Sequence, residues 1–516
     1  MHAANNNKSG SGWLAAGAAL TAGLLLSLGA HAAAPGITGT SFDLNAGPGF
    51  ISQPDGNTVY SWGYGCATAP ASSAFLPTAI SGGKCPDMQL PGPTLIVHQG
   101  DSITVTLHNN LPVAAGNTSI LFPGFNVKAS GGVPGTLTQE AMHGSTVQYT
   151  FTADTPGTHT YYSGTQGDLQ VEMGLYGALI VLPSSTPTSC DATPKDSARS
   201  SHGNQADYRL AHAAYNHPDA CYDREYLFQF SEMDPGIHRQ AEEQSKLPCT
   251  NTSGCMTVAT EPYIPAYFMI NGRSMPDDMD PNYAIQYPRQ PYNGNPHMHP
   301  GELVLLRIVG NGRWQHPFHE HGNHTRLLAR DGNLLLTATG NQLAGPLLFT
   351  TTTTPGQTMD GIFQWTGKGL NWDVFGHGYS GDPSVCTPDA NGYHSNTADD
   401  NYYEWCGDHT KPLEARPFGQ VGSGGPVTLP DPNILAFGPW YGGSPYLGPD
   451  AMQRAVGATP IPPSGTVANS PTDEAGFSFM WHSHNEREIT TNNAFPGGMM
   501  MMMLVDPWTY NIIEQN

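Results

Sequence analysis

The sequence predicts an all-β protein of two sandwich domains, and three observations carry that reading. Gly and Pro supply 61 and 45 of the 516 residues, which favours many turns and short strands over long helices. Charged residues make up only 12%, about half the usual share. Short runs of strictly alternating apolar and polar residues recur along the chain, as half-buried strands require.

Residues 1–32 read as a signal peptide. Lys8 gives a positive start, Trp13 to Leu28 is mostly apolar, and Ala30-His31-Ala32 is a small-x-small cleavage site. The apolar run is too short and too broken by Gly for a membrane span, and no later run is long enough. The expectation is an exported, secreted or periplasmic chain starting near Ala33, with no span in the mature part. The net charge of −22 argues against a nucleic-acid partner and favours solubility and attraction of cations.

The first domain is expected over residues 40–183. Residues 40–90 are Gly- and Ser-rich, and regular strands are expected from Pro91 onward. Ile103, Val105 and Leu107 alternate with Ser102, Thr104 and Thr106, and Val147 to Thr152 alternates as cleanly. Pro156-Gly157 is a turn, Thr158 to Tyr162 a strand, and Gly177 to Val181 a buried closing strand. Residues 184–224 read as a linker. A second strand series over 225–508 runs through Tyr226–Phe230, Tyr267–Gly272, Glu302–Val309, Leu347–Thr351 and Met359–Trp365. The pattern fails from about 366 to 473, an insert long enough to be functional or a lid, and resumes at Gly476–His482 and Met499–Val505.

Eight cysteines in an exported chain suggest disulfides. Neighbour pairing (66 with 85, 190 with 221, 249 with 255, 386 with 406) is the simplest of many options.

The chemistry concentrates in two stretches. The first runs His316-Pro317-Phe318-His319-Glu320-His321-Gly322-Asn323-His324. In a strand the period of two puts His319 and His321 on one face. The second is Trp481-His482-Ser483-His484, where His482 and His484 share a face. Side by side, two such strands present four imidazoles to one point, a donor set suited to copper, zinc, iron or nickel. His297-Met298-His299 is read as a turn among prolines, with added ligands as the alternative. Glu486 and Glu488 are read as surface charges, with ligation or proton relay as the alternative. Met499 to Met503 is read as core filler, with contact to Cu(I) as the alternative.

With these residues in place, the chain resembles the multicopper oxidase branch of the cupredoxin superfamily. Pro91-Gly92-Pro93-Thr94, Gly100-Asp101 and Asn109-Asn110-Leu111-Pro112 are similar to the opening strands of the family's first domain. Met173 to Val181 is similar to that domain's end. Phe268 to Arg273 and Pro355 to Thr358 are similar to later-domain signatures. His316-Pro317-Phe318-His319-Glu320-His321-Gly322 fits the family's H-P-x-H-x-H-G motif in full.

The resemblance implies two cupredoxin-like Greek-key sandwiches and a copper cofactor. It also implies departures from the family's four ligand motifs. Leu121-Phe122-Pro123-Gly124 stands where the family has H-W-H-G, and Tyr162-Ser163-Gly164 where it has H-S-H. His482-Ser483-His484 stands for H-C-H, with Glu488 in place of the motif's last histidine. The type 1 cysteine is therefore Ser483, which has no thiolate to make a blue site. The expected metal residues are His316, His319, His321, His482 and His484, holding one or two copper ions rather than four. The implied function is an exported copper-binding protein with at most atypical oxidoreductase activity toward metal ions or small reductants. A subunit of a heteromeric multicopper oxidase whose partner supplies missing ligands, and a non-catalytic extracellular structural or assembly protein, are the alternatives, and a homo- or hetero-oligomer is a separate expectation.

Overall fold

The computed structural model describes residues 33–190, 206–251, 253–340, 342–372, 387–404, 433–434, 440–446, 452–453, 467–468, 476–508 and 510–512. The signal segment, Cys386 and Cys406 lie outside the described residues. Its strands form two sandwiches, as the alternating runs predict.

In the first, one sheet joins Gly157–Tyr162, Tyr176–Leu182, Leu95–His98, Gly36–Thr38 and Phe75–Leu76 in that order. The other joins Thr58–Cys66, Ser41–Ser52, Ser102–Asn109, Thr146–Thr152 and Lys128–Gly131. Val147, Tyr149 and Phe151 sit opposite Leu107, Val105 and Ile103, so both strands turn their apolar sets inward. These side chains share one core with Leu95, Val97, Leu179 and Val181 of the facing sheet.

Residues 40–90 depart from expectation. They hold a long hairpin, Ser41–Ser52 with Thr58–Cys66, rather than an irregular lead-in. Phe42, Leu44 and Ala46 alternate under a polar, Gly-rich composition, and Trp62 and Tyr64 fill the core beneath. A helix, Pro235–Ser245, interrupts the strand series that follows. Asp234 caps it, accepting from the Gly236 N–H at 2.8 Å, and Pro235 opens it. The described part of the linker is not loose, because Tyr215 and Tyr222 are buried with Leu305 and Leu328 of the second sandwich. Disulfides join Cys66 to Cys85, Cys190 to Cys221 and Cys249 to Cys255.

The second sandwich positions the candidate site. One sheet runs Tyr267–Ile270, Arg224–Met233, Leu303–Gly310, Thr358–Gln364, Thr325–Arg330 and Asn333–Leu334. The other runs His297–Met298, Met500–Val505, Gly476–Ser483, His316–Glu320 and Thr350–Thr353. The expected strand at 347–351 is split, and its second part, Thr350–Thr353, pairs with the first histidine strand. Within the insert, Gly443–Tyr446 adds a strand beside Gly476–Ser483. The two sheets close on Phe228, Phe230, Phe318, Phe363, Phe479 and Trp481.

Candidate metal centre

The two histidine stretches are neighbouring antiparallel strands. Phe318 sits opposite Ser483, His319 opposite His482 and Glu320 opposite Trp481. Alternation sorts each strand into two faces. His316, Phe318 and Glu320 are buried on the core side, while Pro317 and His319 are half-buried on the other. Phe479 and Trp481 lie in the core, so His482 and His484 turn outward with His319 and His321. The backbone N–H of His484 donates to the Pro317 carbonyl at 2.8 Å, which fixes the second pair beside the first.

The four outward rings form one cluster. Ring centroids lie 5.0 Å apart for His319 and His321, 4.9 Å for His319 and His484, and 5.3 Å for His321 and His482. Three rings have Nδ1 engaged by an oxygen. His319 meets Thr350 Oγ1 at 2.7 Å, His482 meets the Ser483 carbonyl at 2.7 Å, and His321 meets the Gly442 carbonyl at 3.4 Å. Such a partner holds a ring in place and leaves Nε2 for a metal. His482 Nε2 and His321 Nε2 approach to 3.3 Å, a separation that two metal–nitrogen bonds of about 2.0–2.1 Å can span. Burial, and then the neighbouring imidazoles, hold His319 down to about 4, and burial also lowers His321 and His482. These rings are therefore neutral near pH 7, the form that ligates. The donor set fits copper. Among the described residues no three such donors close on one point.

His316 stands apart from this cluster. It lies on the core face, and both its nitrogens are taken. Nε2 meets Glu232 Oε2 and Nδ1 meets Glu488 Oε2, each at 2.9 Å, with all three side chains buried. Ser483 donates to Glu488 Oε2 at 2.5 Å, and Asn485 Nδ2 to Glu488 Oε1 at 2.9 Å. The ordinary strand period explains the separation, since residues 316 and 319 are an odd number apart. Glu488 is thus not a surface charge. Glu232, which lies on the strand Arg224–Met233, carries no local sequence signal for this role. Glu486 does lie at the surface, 3.6 Å from His484.

His297 and His299 are buried, not in a surface turn. His297–Met298 pairs with Met500–Val505, His297 Nδ1 meets Asp506 at 2.6 Å, and His299 stacks on Trp508 at 4.4 Å. His324 stacks on Phe349 at 3.7 Å. Glu320 is buried on the core face. Its Oε1 accepts a long bond of 3.4 Å from Thr351, and Oε2 has no partner among the described residues. Burial pushes its carboxyl well above the usual range, so it is neutral at pH 7. The unfolded chain ionises this group near its ordinary 4.5 and the folded chain does not, so the residue weakens folding increasingly as pH rises above 4.5. Glu320→Gln keeps the shape and removes that cost. Its melting temperature should exceed the parent's by more at pH 7.5 than at pH 4; an equal difference at both would contradict the buried neutral acid.

The segments that replace the first-domain histidine motifs meet each other, with Leu121 and Tyr162 forming a bridge. Around them Phe122 is buried, and Ser163 Oγ donates to Gln170 at 2.6 Å. A family model described as multicopper oxidase matches residues 85–186, a span that includes both segments. That stretch of the chain is therefore similar to multicopper oxidases. A multicopper oxidase from Cercospora beticola is 37% identical over 95 residues, 18% of this chain and 14% of its own. A copper-containing nitrite reductase from Pseudomonas chlororaphis is 38% identical over 96 residues, 18% of this chain and 25% of its own. The matched stretch thus spans no more than about a quarter of these relatives' length. Among solved structures, a blue copper oxidase from Nitrosomonas europaea covers 90% of this chain and 85% of its own at 14% identity, with a TM-score of 0.45. The span matched by the family model ends before every candidate ligand.

Proposed function

We propose that this multicopper oxidase relative binds copper on His319, His321, His482 and His484 and is exported, with at most atypical oxidoreductase activity. The observation that carries the reading is the cluster of four outward imidazoles, three anchored through Nδ1, with two Nε2 atoms 3.3 Å apart. Copper bound there supplies one-electron chemistry. The protein's part is to hold neutral rings and to leave one side open, since the His484 side chain is 55% exposed. His316 is left out because both its nitrogens are occupied. Ser483 gives no thiolate, so no intense blue band is expected. The three disulfides support an oxidising compartment.

Elemental analysis of the purified protein, with EPR and visible spectra, tests this. One copper per chain, or at most two, and no intense blue band is the expected result. Three or more coppers with a blue band would overturn it, as would no metal at all.

A second reading, in which a partner subunit completes the site, draws support from the open side. The matching segments of this chain's own first domain, Leu121 to Gly124 and Tyr162 to Gly164, carry no imidazole to offer. Copper content that rises only on mixing with such a partner would favour it.

A further inference from the structure

The methionine run is left unused by the imidazole cluster. In the strand Met500–Val505, Met501 and Met503 sit opposite Trp481 and Phe479 and are fully buried in the core, and Met499 just before it is buried too. The intervening residues face the other way. Met500 sits opposite His482, and Met502 opposite Met480. His482 in turn sits opposite His319. One face of three adjacent strands therefore carries His319, His482 and Met500 in one row and Met480 and Met502 in the next.

Directly opposed Cβ atoms lie about 4.5–5.5 Å apart and diagonal neighbours about 7–8 Å apart. Unbranched methionine side chains cover those spans, so three sulfurs can converge. Met480 and Met502 are half-exposed and Met500 is buried. Core packing accounts for Met499, Met501 and Met503. Burial covers Met500 as well, but it does not account for the half-exposed thioethers of Met480 and Met502, at positions where polar or β-branched residues are the usual choice.

We propose that Met480, Met500 and Met502 form a Cu(I) site at the edge of the imidazole cluster. Thioether sulfur is soft and uncharged, which suits Cu(I), whereas imidazole serves either oxidation state. The stripe thus selects the reduced ion and delivers it beside His482. The site does not depend on the imidazoles holding Cu(II), because its sulfurs form a donor set of their own.

The test is anaerobic Cu(I) titration of the full chain against bathocuproine disulfonate, for the parent and for Met480→Leu/Met500→Leu/Met502→Leu. Leucine keeps the volume and removes the sulfur. The triple variant should lose one Cu(I) equivalent, or hold Cu(I) roughly 10-fold or more weakly, with its Cu(II) EPR signal unchanged. Met502→Leu alone, at a half-exposed position, should weaken Cu(I) in the same direction if the triple variant folds poorly. Equal Cu(I) uptake by parent and variants would overturn the site, as would a parent that takes up no Cu(I). Loss of the Cu(II) signal with the Cu(I) equivalent would also overturn it, by tracing the effect to His482. A parent without Cu(II) signal whose Cu(I) uptake still depends on the methionines would sink the imidazole reading and leave this one standing.

Discussion

His316→Leu should destabilise the fold by about 3–5 kcal/mol, the range for removing one partner of a buried ion cluster. The imidazole is fully buried between the Glu232 and Glu488 carboxylates, 2.9 Å from each. Burial alone would lower its affinity for a proton. The two carboxylates win, however, and raise it from 6.5 to about 9. A shift of that size corresponds to about 3 kcal/mol, in line with the range for the substitution. The ring is thus an imidazolium at pH 7, and leucine leaves two buried carboxylates without their shared cation. The pH dependence follows from a folded value above the unfolded one. The contribution is complete below 6.5 and is lost as pH rises through about 9. Denaturant unfolding of the parent should show stability falling between pH 7 and 10, and the variant should lack that slope. A variant that unfolds at the parent's midpoint at pH 7 would show that the three groups are not a charged unit. The same geometry carries a functional consequence. The position from which the resemblance expects a metal ligand is filled by a protonated ring whose charge two acids already neutralise.

How much of this was legible in the chain follows from which forces are local. Strand alternation is local, so Ile103 to Leu107 and Val147 to Thr152 could be read directly, and so could the common face of His319 with His321 and of His482 with His484. The same period of two also separates His316 from His319, although both fall within one H-P-x-H-x-H-G motif. The hairpin at 41–66 was hidden because its inward residues, Phe42, Leu44 and Ala46, sit among glycines and polar residues whose composition signals loops. Burial of His297 and His299 depends on pairing with a strand about two hundred residues away, which proline-rich neighbours do not reveal. Glu232 was invisible for the same reason. A carboxylate on an apolar strand gains meaning only when the fold brings His316 to it, 84 residues later.

His319→Ala/His482→Ala should abolish specific Cu(II) binding while leaving the fold intact. Loss of an outer-shell partner alone costs about 10–100-fold in metal affinity, and this variant removes two donors outright. His319 is half-buried and His482 buried, but both lie on the face turned away from the core of Phe318, Phe479 and Trp481, so that core keeps all its side chains. The contrast with His316→Leu is diagnostic. That variant should lose stability and keep Cu(II), whereas the double alanine variant should keep stability and lose Cu(II). Equilibrium dialysis with Cu(II) and thermal unfolding on both variants separates the two faces of one strand. Binding should also persist to unusually low pH, because His319 is held down to about 4 and His321 and His482 below 6.5, so protons compete weakly until the solution approaches those values. Copper released already near pH 6.5 would mean that the rings titrate as free histidines and that the cluster is not assembled as described. Copper retained by the double alanine variant would place the ion elsewhere in the chain.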